Sequence, residues 1–373
     1  MPFRAGRFAK KLLIRLIALC GIFLLAAAWF ANKCPPLETQ RKPISQAAQQ
    51  RRAVTADIKD YARPEENTYF TYPEWYIVWS YQEKADFQEK NLPASFPYFG
   101  EIKQYWGGYC AACGLARGKY PFNFGDHVML AVIGSSFSFE YALRGVYEGT
   151  LGKLSEWLAG HQETEEDRYA CKVARDYANF VHIRPFYEFS FASRLTGLWK
   201  ETTLAGPHFA RKWERKVFLS VDYGIEAFYC WMIEKATHAS YGYEEDKTYV
   251  WIENASDQIF TENPRIRKVK EVGPGTFIVV TPRYQEFTSV VQRLSAQGVR
   301  FVEIAGNDEV LVTAIAPRAW TYDLSQGKLL FSTDILTQPA SKRIAVRSAV
   351  ASLHAVLNDL PGRGAKIEHV YDY

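Results

Sequence analysis

Residues 268–316 read KVKEVGPGTFIVVTPRYQEFTSVVQRLSAQGVRFVEIAGNDEVLVTAIA, and the spacing of their apolar positions changes along the run. The segments 268–272 and 276–280 flank Gly273-Pro274-Gly275, which reads as a hairpin. Thr281 then caps a helix with Pro282 at its first position. Phe287, Val290, Val291 and Leu294 share one face of that helix, and Gly298 ends it. Two strands follow, at 299–305 and 309–316, joined by Gly306-Asn307-Asp308. A weaker strand covers 328–332. Ser341 is read as the cap of a last helix whose inner face is Val346, Val350, Leu353, Leu357 and Leu360. Pro361, Gly362 and Gly364 stop it, and 366–371 is the closing strand. With 317–340 left out, the order from 276 is β-α-β-β-α-β, the order of a ferredoxin-like split βαβ. The likeness concerns element order alone and implies no iron–sulfur cluster.

Toward the N-terminus the pattern becomes helical. Helices are expected at about 73–90, 95–115, 125–148, 163–181 and 209–238. In the last of these Trp213, Val217, Val221, Gly224, Phe228 and Trp231 recur every three or four residues, which reads as a core-facing stripe. No internal repeat is visible. The fold class expected is α+β. An aromatic-rich helical domain at 67–242 is followed by a ferredoxin-like α/β domain at 243–373.

Residues 12–31, LLIRLIALCGIFLLAAAWFA, carry Arg15 as their one charge. Twenty residues at 1.5 Å rise match a hydrocarbon core of about 30 Å. Residues 1–11 form a basic flank, and 32–66, with Pro35, Pro36, Pro43 and Pro64, read as a stalk with a short helix at 45–60. Retained single-pass anchor and cleaved signal peptide are the two readings of 12–31; its length past Ala26-Ala27-Ala28 favours the anchor. The basic flank favours a cytoplasmic N-terminus, so the main body is expected outside the cytoplasm, on the cell membrane.

The chain of 373 residues has 45 Lys+Arg and 41 Asp+Glu. Residues 1–60 hold 11 basic and 3 acidic groups, so the remainder is net acidic and offers no overall field for nucleic acid. Six cysteines are too few for a disulfide scaffold. Cys110-Ala111-Ala112-Cys113 is the sharpest local motif, because thiols at i and i+3 share a helix face. Structural thiols, a redox pair and a metal site are the readings open to it. Its place late in a helix with no preceding strand departs from a thioredoxin-like setting, and a second C-x-x-C for zinc is absent. No P-loop, G-x-S-x-G, H-E-x-x-H or G-x-G-x-x-G occurs, so the chain leans away from catalysis, and no metal or cofactor is expected.

Residues 69–109 hold 14 aromatic side chains, enough to build a core of aromatic helices or a surface or groove for lipid. Trp75, Trp79, Tyr105, Trp106, Phe228 and Trp231 are the candidate ligand-binding residues. The runs Thr71-Tyr72-Pro73-Glu74-Trp75-Tyr76-Ile77-Val78, Phe96-Pro97-Tyr98-Phe99 and Arg211-Lys212-Trp213-Glu214-Arg215 resemble segments of uncharacterised bacterial membrane-anchored proteins. The resemblance implies a shared helical module and an anchor, and carries no catalytic residue. The expected role is therefore a non-catalytic interaction module at the membrane. Its partners are expected to be the bilayer and a protein met through the C-terminal domain. The alternatives are lipid or apolar-ligand binding by the helices, or thiol–disulfide exchange at Cys110 and Cys113.

Overall fold

The computed structural model describes residues 46–240, 247–321 and 323–373, with side chains described from 48 and, in the helix ending at 240, as far as 235. The expected anchor at 12–31, Cys20 and Cys34 lie outside the described residues. Among the described residues no helix is long and apolar enough to cross a membrane.

The first half is helical: α1 (Gln46–Thr55), α2 (Asn67–Gln88), α3 (Tyr98–Ala116), α4 (Phe124–Tyr147), α5 (Lys153–Leu158), α6 (Glu165–Val181), α7 (Phe191–Glu201) and α8 (Phe209–Ser240). A π-turn, Glu148–Gly152, joins α4 to α5. Local chemistry sets several starts. The Asn123 side chain accepts from Gly125 N at the head of α4. Thr164 and Asp167 form a reciprocal capping box on α6. α2 begins at Asn67, so Pro73 lies inside the helix and not at its first turn.

The second half is antiparallel sheet. Its strands are β1 (Lys247–Glu253), β2 (Arg267–Gly273), β3 (Thr276–Pro282), β4 (Arg300–Ile304), β5 (Glu309–Pro317), β6 (Lys328–Asp334), β7 (Ser341–Ala349) and β8 (Lys366–Val370). The helices are α9 (Gln258–Glu262), α10 (Tyr284–Ala296) and α11 (Leu353–Gly362). The expected single ferredoxin-like sheet is not formed. The strands divide into two four-stranded sheets, β2-β3-β1-β4 and β6-β7-β5-β8. Ser341 opens a strand, not a helix: β7 lies between β6 and β5, and burial on both its faces hides the alternation that would mark it in sequence. β1 also escaped the sequence reading.

The two sheets are one βββαβ unit used twice. In the first, Val250 of β1 faces Val279 and Ile304; in the second, Val312 of β5 faces Val346 and Val370. Register breaks recur at matching places, between Trp251/Ile252 and Thr313/Ala314, and between Lys268/Lys270 and Leu329/Phe331. The crossover segments align without a gap. Phe287, Val290, Val291, Leu294 and Gly298 correspond to Leu353, Val356, Leu357, Leu360 and Gly364. Both glycines end their helices at positive φ, +81° and +80°.

The inner faces of both sheets share one core with α10 and α11. The outer faces differ. α1 and Tyr61 cover Trp251 and Ile278 on the first sheet, with Arg51 paired to Glu303 and Lys270 to Asp57. Residues 46–61 are thus packed against the sheet and are not part of a free stalk. On the second sheet Leu311, Ala345 and Tyr371 join Tyr72, Trp75 and Trp79 of α2 in the aromatic core of the helical half. Arg343 of β7 fastens that junction. Its guanidinium lies 4.1 Å from the Trp79 ring centroid and bonds Glu83 at 2.9 Å and Glu368 at 2.6 and 2.8 Å.

Candidate functional site

α4 and α8 lie side by side and antiparallel over the inner helices α2 and α6. Ser136 Oγ donates to the Tyr229 hydroxyl at 2.8 Å near one end. Arg144 binds Asp222 at 3.0 and 3.1 Å and Glu226 at 3.1 Å. The Tyr147 and Phe218 rings stack at 3.6 Å, and Arg215 reaches Glu148 at 2.7 Å.

The charges of α8 from Arg211 to Glu234 are buried or half-buried, and among its described residues Lys235 is the one exposed charge. Arg211 and Arg215 are 1% and 2% exposed. Arg211 pairs with Glu156 at 3.3 Å and Asp167 at 3.0 Å, and Arg215 also meets Asp167, at 2.9 Å. Lys212 binds Glu165 and Glu166 at 2.8 and 3.0 Å, and Lys216 donates to the Thr202 and Thr203 carbonyls. Burial opposes the charge on Arg144, but Asp222 and Glu226 outweigh it and raise its pKa. Glu214, buried and only partly compensated by Arg215, is pushed up to about 7. Exposed Glu165 is drawn down to about 2 by Lys212 and Thr203.

The apolar stripe points outward. Val217, Val221, Phe228 and Trp231, read from spacing as core-facing, are more than half exposed on α8, and so is Ile225 beside them. The spacing was correct and the side was not, because the opposite face finds the acidic groups of α5, α6 and the π-turn. α4 behaves alike: Phe124, Val128, Val132, Phe139, Leu143 and Val146 are exposed, and Leu154 and Trp157 of α5 continue the surface. Every charged residue from Phe124 to Gly152, namely Asp126, Glu140, Arg144 and Glu148, is buried or half-buried. Seventeen of the twenty-five large apolar side chains exposed among the described residues lie between Phe124 and Leu158 or between Val217 and Met232. Val269 and Leu329 alone come from residues 247–373.

The six candidate ligand-binding residues fall in three places. Trp75 and Trp79 are buried at the junction with the second sheet, where the Trp75 ring lies 3.7 Å from that of His369. Burial holds the His369 imidazole well below its usual pKa, and its Nδ1 is 3.1 Å from Thr288 Oγ1. Tyr105 is fully buried, donating to the Leu130 carbonyl at 2.7 Å, and neighbouring Trp106 donates to Ser138 Oγ at 3.0 Å. Phe228 and Trp231 are on the outer face. Cys110 is exposed and Cys113 buried, with the Cys113 sulfur 4.0 Å from His127 Nδ1. Among the described residues no cluster of three His, Cys, Asp or Glu has metal-holding geometry.

A cavity of about 50 Å³ lies between α2, α4, α6 and α8, lined by Lys84, Arg144, Glu148, Arg215, Asp222 and Tyr177 among others. It has room for water and not for a lipid chain. None of the six candidates lines it. Lys84 is the group that sequence reasoning missed here. Burial, aided by Arg144, pushes its ammonium down to about 7 against the pull of Asp222 and Glu226. The one signal in sequence was Glu140 and Arg144, four apart inside an otherwise apolar helix. No family model, curated protein or solved structure matches this chain.

Proposed function

We propose that the chain is a single-pass, membrane-anchored, non-catalytic interaction module, held by residues 12–31 with its main body outside the cytoplasm, whose interaction surface is the outer face of α4 and α8. The observation that carries this reading is the reversal of those helices, with paired charges inside and, outside, a surface that is apolar but for exposed Lys153 and Lys235. A soluble monomer rarely leaves so large an apolar surface bare. The small polar cavity gives the reading further support, since it is no substrate pocket. Protein contact in the α/β half falls to the exposed edge strands β2 and β6.

The anchor is tested by alkaline carbonate extraction of membranes holding the full chain and its Leu19→Arg/Phe23→Arg variant. The full chain stays with the membrane and the variant is extracted. Extraction of the unaltered chain overturns the anchor, and an activity of the purified chain lost in a point variant overturns the non-catalytic role.

A further inference from the structure

Resting on that reading, we propose that the partner of the α4–α8 face is the bilayer itself: the face lies flat in the lipid interface as a second membrane attachment, separate from residues 12–31. Four observations converge. The uncharged stripe of α4 runs through Gly152, a length of about 40 Å at 1.5 Å per residue. Glu140, Arg144 and Glu148 turn away from the surface and are paired, the arrangement that a poorly solvating medium favours, and Asp126 at the head of α4 is half-buried. Trp157 stands at one end of the face, beside the Ser155–Glu214 contact, and Trp231 lies opposite the middle of α4, where Ser136 meets Tyr229. An exposed tryptophan at its border suits the headgroup level. The chain outside the described residues supplies the tether. The 14 residues 32–45 reach at most about 50 Å, so residue 46 of an anchored chain lies within that distance of lipid and the body meets the bilayer at high effective concentration.

The seating is lateral. No described helix has the apolar length to cross a membrane, and the buried charges lie directly behind the face, so the burial reaches only the boundary of headgroups and acyl chains, about 5–10 Å deep. α3 and α7 flank the pair, and the sheets lie behind, away from lipid.

The test uses the full chain reconstituted in phosphatidylcholine vesicles, with a protease site placed at 36–42 and cut after reconstitution. The released body is expected to float with the vesicles. In the Val132→Glu/Val221→Glu variant, both positions being exposed, the bound fraction falls about tenfold or more while the melting curve is unchanged. Val269→Glu/Leu329→Glu, on the sheets, leaves binding as it was. Release of the unaltered body on cutting overturns the proposal. So does retention of the Val132→Glu/Val221→Glu body, or a soluble dimer of the cut body that the same double change dissolves, which assigns the face to a second copy. If the uncut chain does not float at all, both attachments have failed; if it floats and the cut body is released, the face alone has failed and the anchor stands.

Discussion

α10 and α8 have the same helical period and opposite orientations. In α10 the stripe of Phe287, Val291 and Leu294 is fully buried between the sheets, and Arg293 is exposed. In α8 the stripe of Val217, Val221 and Phe228 is exposed, and Arg211 and Arg215 are buried. The difference lies in what the second face meets. α10 meets two apolar sheet faces. α8 meets Glu148, Glu156, Glu165, Glu166 and Asp167, and its four consecutive-turn cations are drawn to them. Burying ions costs several kcal/mol each before pairing repays it. Leaving a large apolar side chain in water forgoes about 1.5–3 kcal/mol more. A fold that accepts both fits the proposal that its outer surface meets lipid.

The sharpest break of this comparison is a carboxylate placed on each stripe. Val291→Asp is expected to cost more than about 4 kcal/mol in denaturant unfolding, because the charge enters a closed core without a partner. Val221→Asp is expected to change stability by no more than about 0.5 kcal/mol. A loss above about 2 kcal/mol at Val221 would mean that the stripe of α8 is covered in the folded chain.

Next in size is the charge network. Arg215→Met leaves buried Glu148 without its cation and Asp167 with Arg211 alone, and is expected to cost about 3–5 kcal/mol. Glu148→Gln added to it recovers part of that loss, and a double-mutant cycle measures how much. Full additivity would show that the two residues act independently, and the inward turn of α8 would need another cause.

Much of this was legible before any coordinates. The aromatic helices, the hairpin around Gly273-Pro274-Gly275, α10 and the Gly298 stop follow from period and turn chemistry. Three things did not. The side on which the α8 stripe lies depends on acids up to 67 residues away, such as Glu148 opposite Arg215. β7 is buried on both faces, so it lacks the alternation of a half-exposed strand, and Val346 and Val350 mimic a helix. The repeat is carried by strand register and by a few apolar positions, Phe287 against Leu353 and Leu294 against Leu360, too dispersed to show without the sheets. Of the candidate site, the aromatic residues of α2 and α3 became interior, whereas Phe228 and Trp231 came to the surface that matters. Lys84 was invisible because its neighbours arrive from four other helices, α3, α4, α6 and α8.

The smallest expected effect is also the most specific. Lys84 faces Arg144 and Glu148 from the α4 segment, Arg215 and Asp222 from α8, Tyr98 from α3 and Tyr177 from α6. Its folded pKa of about 7 lies below the 10.5 of the unfolded chain. Between those values the unfolded chain holds the proton and the folded one does not, so the Lys84 contribution to stability rises with pH across that window. Below about 7 both states are protonated and the cost of burying the charge is fully present. Lys84→Met removes that cost. The variant is therefore expected to exceed the unaltered chain in unfolding free energy by about 3 kcal/mol more at pH 7 than at pH 10. Parallel stability curves for the two chains over that range would show that Asp222 and Glu226 keep the ammonium charged. The network between α2, α4 and α8 would then hold no neutral lysine.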